Sequence, residues 1–326
     1  MTRLNYPLLF RPAYKDYIWG GDRLSRKYGR VIHSGVCAES WEISDRPEGM
    51  SVVANGPLAG RSLASLVKDF GSGLIGGSCG SDRFPLLMKI IDAREQLSVQ
   101  IHPADENAGA VNGEAKTEMW YVLDAEAGAV VLAGLKKTVS KRIFTAAAGS
   151  RKMAPLLRRV KVRAGDAILV PGGTVHAIGE GLLIFEVQQN SNTTFRLYDW
   201  DRTGPDGKQR PLHISEAVRT VLWPGKRPAK ARQRVTVRDG RITVRNVLAC
   251  PYFRVERIDL GGPFECCNDG RSFHAFFVTE GAVGIRAGRR LVSAGAGMSC
   301  LVPASIGRYT LSPATAKAAV LKITLG

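Results

Sequence analysis

The sequence predicts a mainly β protein made of two related β-barrels with a few short helices. Three observations carry that class. Short β-branched runs ending at Gly or Pro recur along the chain, the pattern of an all-β sandwich or barrel. Helical patterning is confined to two short stretches. One turn-and-strand unit occurs twice, so the two ends of the chain look like copies of one architecture.

In chain order, Ser51-Val52-Val53-Ala54 reads as an early strand. Ser62 to Phe70 reads as a helix with Ser62 as its N-cap. Gly71-Ser72-Gly73-Leu74-Ile75-Gly76 matches GxGxxG, but a dinucleotide fingerprint follows a strand and opens a helix. This one follows a helix and is expected to be a loop. Ala129-Val130-Val131-Leu132, Ala167-Ile168-Leu169-Val170 and Leu182-Leu183-Ile184-Phe185-Glu186-Val187 read as further strands. Ser215 to Leu222 is the second helix, and Gly225-Lys226-Arg227-Pro228-Ala229-Lys230 has the composition of a linker. The expected domains are 1–225, a linker at 226–232, and a C-terminal β domain at 233–326.

The repeat pairs Ala164-Gly165-Asp166 through Pro171 with Ala294-Gly295-Ala296 through Pro303. Upstream, Glu118-Met119-Trp120-Tyr121 matches His274-Ala275-Phe276-Phe277. His176 lies five residues after Pro171, whereas Arg308 lies five after Pro303. A cation cannot donate a lone pair, so the C-terminal barrel is expected to be metal-free, burying the flank of its neighbour.

The 326 residues suit two or three domains. Apolar content of 44 % and charged content of 23 % are ordinary for a soluble globular protein. The six cysteines include no CxxC pair and read as reduced thiols. The N-terminal residues lack a signal segment and no stretch reaches the length of a membrane span, so a cytoplasmic protein without a membrane partner is expected. The net charge of +17 suits either nucleic acid or anionic small molecules. The basic residues alternate with apolar ones and no aromatic platform accompanies them, so no nucleic-acid partner is expected.

Four residues on strand-like segments have metal-ligand chemistry. Gln100 and His102 are two apart in Ser98-Val99-Gln100-Ile101-His102-Pro103, which puts both on one face, about 7 Å apart along a strand. Glu118 opens a strand, and His176 follows the tight turn Pro171-Gly172-Gly173-Thr174. Two imidazoles, a carboxylate and an amide oxygen form a mixed N/O set suited to zinc with open positions. A buried histidine that is simply hydrogen-bonded is the competing reading for each.

Four segments together resemble the type I mannose-6-phosphate isomerase family: Gln100 to Asp105, Lys116 to Trp120, Val170 to His176 and Gln188 to Trp200. They come in the family's order, and Trp19-Gly20-Gly21 and Glu39-Ser40-Trp41-Glu42 add to the likeness. The resemblance covers most of residues 7–225 and is weak beyond 230. It implies cupin-type jelly rolls, and one Zn²⁺ per chain held by Gln100, His102, Glu118 and His176. It also implies a catalytic arginine at Arg196 and pocket lysines at Lys89 and Lys116. The short interval from Glu118 to His176 leaves no room for the helical insertion of longer members, so contacts from that insertion do not carry over.

The implied reaction interconverts mannose 6-phosphate and fructose 6-phosphate through an enediolate, in mannose metabolism. Arg196 is permanently charged and suits an oxyanion better than a proton; its competing reading is a cation packed on Tyr198 and Trp200. Glu186 is the candidate base, with a strained histidine or metal-bound water as substitutes, and a structural carboxylate bonded to backbone as the competing role. The alternative functions are a cupin isomerase or epimerase of another phosphosugar, and a non-catalytic sugar-binding module. The expected partner is a phosphosugar, and the expected assembly a monomer or weak homodimer.

Overall fold

The computed structural model describes residues 4–204, 206–223 and 228–326. Their strands form four antiparallel sheets and divide between two compact units. One unit comprises 14–40 and 88–230; the other comprises 1–13, 41–87 and 231–326. Of the expected linker, Lys226 and Arg227 lie outside the described residues. Within it, Ala229–Lys230 form a short strand on Ala167–Val170.

The unit containing 88–230 faces a seven-stranded sheet with a five-stranded one. The larger runs Ala229–Lys230, Ala167–Val170, Glu118–Ala125, Leu182–Gln189, Leu86–Ala93, Glu39–Ile43, Ala13–Lys15, and its last three strands continue past the unit's bounds. The smaller runs Phe195–Tyr198, Val99–Ile101, His176–Ile178, Val130–Leu135, Leu157–Lys161. Trp120, Val122, Ile168 and Ile184 from the first meet Val131, Ala133 and Ile178 from the second in one apolar cluster. The outer face of the smaller sheet is covered by helices Lys141–Ala147 and Ile214–Thr220. There Val99, Ile101, Phe195 and Leu197 pack with Phe144 and Ala217. Strand alternation therefore leaves Gln100, between Val99 and Ile101, facing inward.

The other unit faces an eight-stranded sheet with a four-stranded one over a core including Phe276, Val278, Val320, Ile285 and Leu311. Here Leu8–Arg11 pairs with Ser299–Val302, with Leu8 opposite Leu301, and also with Val52–Val53. The chain's first strand thus lies beside one of its last.

The repeat is real in register. Glu118 sits opposite Val170 in one unit, and His274 opposite Val302 in the other; each valine precedes the matched proline. The repeat differs in one detail. Arg308 is exposed, and the inward position belongs to Tyr309, whose hydroxyl meets His274 Nδ1 at 2.6 Å. Ser62 caps helix Leu63–Phe70, its hydroxyl accepting from the Ser65 N–H. The glycine run after that helix is not an open loop, because Ser72–Ile75 form one helical turn between Gly71 and Gly76, both at positive φ. It follows no strand.

Candidate metal centre and active site

Two strand starts and one strand end bring the ligand candidates together. Glu118 opens Glu118–Ala125, His176 opens His176–Ile178, and His102 directly follows Val99–Ile101. His176 pairs in register with Gln100. The turn before His176 needs glycine: Gly173 has φ +77°, and a Cβ on Gly172 would meet the Pro103 carbonyl oxygen at 2.5 Å. That turn is tied to the site, since the Gly173 N–H donates to the His102 carbonyl (2.7 Å) and the Gly172 N–H to Thr117 Oγ1 (3.1 Å).

His102, Glu118 and His176 are each 1 % exposed, and their ligand atoms all lie within 4.8 Å of one another. His102 Nε2 is 3.4 Å from Glu118 Oε2, and His176 Nε2 is 3.3 Å from Glu118 Oε1. Each imidazole has its Nδ1 against a backbone carbonyl, Thr193 O for His102 (2.8 Å) and Thr174 O for His176 (2.9 Å). A carbonyl only accepts, so Nδ1 carries the proton and Nε2 presents its lone pair to Glu118. Burial, then Lys116, drives the His102 pKa down to about 3; burial lowers His176 as well. Burial works to raise the Glu118 carboxyl, but the Lys116 ammonium, 3.3 Å away, holds it well below its usual range.

The result is a set of lone pairs pointing at one another. His102 Nε2 and both Glu118 oxygens are buried with no hydrogen-bond partner. Buried polar atoms are ordinarily paired, and two neutral imidazoles with a carboxylate are a metal's donor set. The Nδ1-to-carbonyl bonds are the kind that orient metal-bound histidines. Gln100 borders this group, its amide Nε2 3.4 Å from His176 Nε2; rotating the amide by half a turn presents the oxygen instead. The residues present fit a divalent cation.

Beside them opens a cleft of about 270 Å³. Lys89, Lys116, Gln100, Glu186 and Arg196 all line it, so four sheet strands and the loop at Lys116 bring five of the expected site residues to one space. A larger trough of about 490 Å³ near Trp200 and Arg159 contains none of them. The smaller cleft is the site, because it, unlike the larger trough, adjoins the donor set through Gln100 and Lys116.

Glu186, Lys89 and Glu39 stand on three neighbouring strands. Glu186 Oε1 accepts from the Trp120 indole N–H at 3.0 Å, and Oε2 lies 2.9 Å from Lys89 Nζ. Lys89 Nζ also lies 3.4 Å from Glu39 Oε2. Glu186 is thus held by side chains, not by backbone. Burial pushes its pKa up and Lys89 offsets part of that. Burial alone disfavours the Lys89 ammonium, but Glu186 and then Glu39 outweigh it and the pKa rises.

Arg196 is not packed on Tyr198 and Trp200. The register shifts between Arg196 and Tyr198, so Tyr198 joins Phe195 and Leu197 on the helix-covered face. Arg196 Nη1 donates to the Pro211 carbonyl at 2.7 Å, while its Nε is buried without a partner. Burial, then the neighbouring Arg210, lowers its pKa. Arg210 is clamped by Asp199, with Nε to Oδ2 and Nη2 to Oδ1 both at 2.7 Å, and Arg202 shares Oδ1 at 2.8 Å.

Sequence reasoning gave no role to Tyr17, Glu39 or Arg210, which also line the cleft. Glu39 stood in a segment already singled out by resemblance. Arg210 follows a polar stretch with no periodicity, and nothing local marks it.

Residues 8–138 match the family model for the type I phosphomannose isomerase catalytic domain, and 243–322 match that for the mannose-6-phosphate isomerase cupin domain. The chain is 37 % identical over 307 residues to the mannose-6-phosphate isomerase ManA of Bacillus subtilis, covering 94 % of this chain and 95 % of that one. It is 39 % identical over 257 residues to the mannose-6-phosphate isomerase of Streptococcus mutans, covering 78 % and 79 %. A crystal structure of the mannose 6-phosphate isomerase from Bacillus subtilis superposes with a TM-score of 0.89 at 33 % identity, covering 98 % and 99 %.

Proposed function

The chain belongs to the type I phosphomannose isomerase family, and we propose that its 270 Å³ cleft interconverts mannose 6-phosphate and fructose 6-phosphate with one zinc ion per chain. The observation that carries the metal is the orphaned, buried lone-pair set of His102 and Glu118. His102, Glu118 and His176 would hold the ion, with the Gln100 amide oxygen as fourth donor. When bound, zinc supplies Lewis-acid stabilisation of negative charge on the sugar's O1 and O2.

The chain's own residues do the rest. Glu186 is the base. Its carboxylate takes the C2 proton, the C2–H electron pair becomes the C1=C2 bond, and the C1 carbonyl oxygen takes up the charge. The same carboxyl then returns the proton to C1 while the O2 proton passes to O1, so no atom is gained or lost. Arg196 faces the developing oxyanion with its unpaired Nε. Lys116 neutralises Glu118 from outside the donor set. Arg210, held rigid by Asp199, is a fixed cation for the phosphate dianion.

We further propose the domain roles read from the sequence, with residues 1–225 carrying catalysis and 233–326 holding no metal. No helix of the described residues is long and apolar enough to cross a membrane. We also propose a cytoplasmic monomer or weak homodimer with no nucleic-acid partner.

The deciding experiment measures fructose 6-phosphate formed from mannose 6-phosphate by zinc-loaded protein, with glucose 6-phosphate in parallel. Turnover of mannose 6-phosphate is expected; turnover of glucose 6-phosphate alone would point to another phosphosugar, and none with either to a binding module.

A further inference from the structure

One lysine faces two carboxylates in the cleft, and the arrangement implies a role for the second. We propose that Glu39 is a positioning residue for proton transfer: by sharing the Lys89 ammonium it keeps Glu186 basic. The inference rests on the reading of Glu186 as the base.

Lys89 Nζ lies 2.9 Å from Glu186 and 3.4 Å from Glu39. Lys89 is 6 % exposed, Glu186 2 % and Glu39 8 %, so solvent screens these charges little. Glu186 already spends its other oxygen on Trp120. An ammonium devoted wholly to Glu186 would fill the second, and a carboxylate saturated by donors is a weak base. Glu39 opposes this twice. It competes for the ammonium's donors, and its charge makes a further negative charge on Glu186 less favourable. Both effects favour a proton on Glu186.

The other groups facing this triad do not take over that role. Glu118 and Lys116 face Glu186, but they are matched to each other at 3.3 Å. Tyr17 faces Glu39, and its phenol is pushed up by burial and then by Glu39, so it stays neutral at physiological pH. Cys37 also faces Glu39 from the neighbouring loop, and burial pushes its thiol up to about 11. Arg196 and Arg210 line the cleft as cations, which adds to the need for a second carboxylate.

The test compares zinc-loaded wild type with Glu39→Gln, which preserves shape and removes charge. Losing Glu39 frees Lys89 for Glu186, so the base becomes weaker. The acidic limb of kcat should move to lower pH by about one pH unit, and kcat on the plateau should fall about tenfold. KM should change less than twofold. Glu39→Asp should move the limb in the same direction by less, and it carries the measurement if Glu39→Gln does not fold. The carboxyl infrared band of Glu186, identified by its loss in Glu186→Gln, should titrate lower in Glu39→Gln without any substrate present. An unmoved limb and band in the Glu39 variants would overturn the proposal while leaving Glu186 as the base. A Glu186→Gln enzyme with normal turnover and an unchanged limb would overturn the base assignment itself, and the proposal with it.

Discussion

His102 Nε2 and Glu118 Oε2 face each other across 3.4 Å of buried space with no proton donor between them. The imidazole's only proton is committed to Thr193 on its far side. An ion pair is not available, because the imidazole stays neutral down to about pH 3. A cation resolves the repulsion. One divalent ion per chain is therefore expected, and His102→Ala or His176→Ala should lower it to a small fraction. Elemental analysis of purified protein reads this directly; full stoichiometry in both variants would remove the assignment.

Arg196→Ala should fold and keep its metal, since the Arg196 side chain is anchored on the Pro211 carbonyl rather than on His102, Glu118 or His176. Loss of one charge-stabilising contact costs roughly 10²–10³ in kcat. Arg196→Lys should recover little, because an ammonium cannot reproduce both the bond to Pro211 and the inward-facing Nε. Steady-state kinetics with metal content measured on the same samples separates loss of chemistry from loss of zinc.

Lys116 presents the opposite case. Its ammonium sits 3.3 Å from Glu118 Oε2, where it repels a cation bound to the same carboxylate. Lys116→Met should therefore hold zinc more tightly, yet turn over at least tenfold more slowly through loss of a cleft cation. Competition with a chelating dye measures the first effect. Faster zinc loss from the variant would contradict it.

His274 predicts an acid dependence of stability. Burial, then Lys322, drives its pKa down to about 3, whereas an unfolded histidine takes up its proton near 6.5. Between those values the unfolded chain binds the extra proton, so stability falls as pH drops through that window, by about 1.4 kcal/mol per pH unit for one group. His274→Gln should flatten the urea midpoint between pH 6.5 and 4 relative to wild type, with metal content and turnover near normal. Loss of metal in this variant would give the C-terminal β unit a role we do not assign it.

Salt should raise KM with little effect on kcat. Net charge is +17, and screening shortens the reach of that field toward a phosphate dianion. Kinetics from 20 mM to 500 mM salt would register the trend; a flat KM would limit the phosphate's contacts to buried cations.

Much of the site was legible because it is local. Alternation put Gln100 and His102 on one face, and the Gly172-Gly173 turn announced a strand start at His176. The β-unit repeat was legible because register follows from its pattern, as Glu118 opposite Val170 and His274 opposite Val302 show. What escaped depends on distance in sequence. Glu39 meets Lys89 only because Glu39–Ile43 neighbours Leu86–Ala93 in the sheet, and Arg210 reaches the cleft only through its clamp on Asp199. The bulge after Arg196 was also invisible, since a one-residue slip leaves composition unchanged while turning Tyr198 to the other face.

The pairing of Leu8 with Leu301 has a consequence for how the polypeptide is made. A ribosome releases Leu8 well before Leu301, so Leu8 and Leu9 wait for that partner strand while Phe10 and Arg11 can already pair with Val52–Val53. Residues 14–40 and 88–230 have both emerged in the meantime and hold the five-stranded sheet and most of the seven-stranded one, so that unit can finish while its neighbour is still being synthesised. Nascent chains arrested before residue 299 should accordingly leave Leu8 and Leu9 open to protease and prone to capture by strand-seeking chaperones, while the segment 88–230 is already resistant.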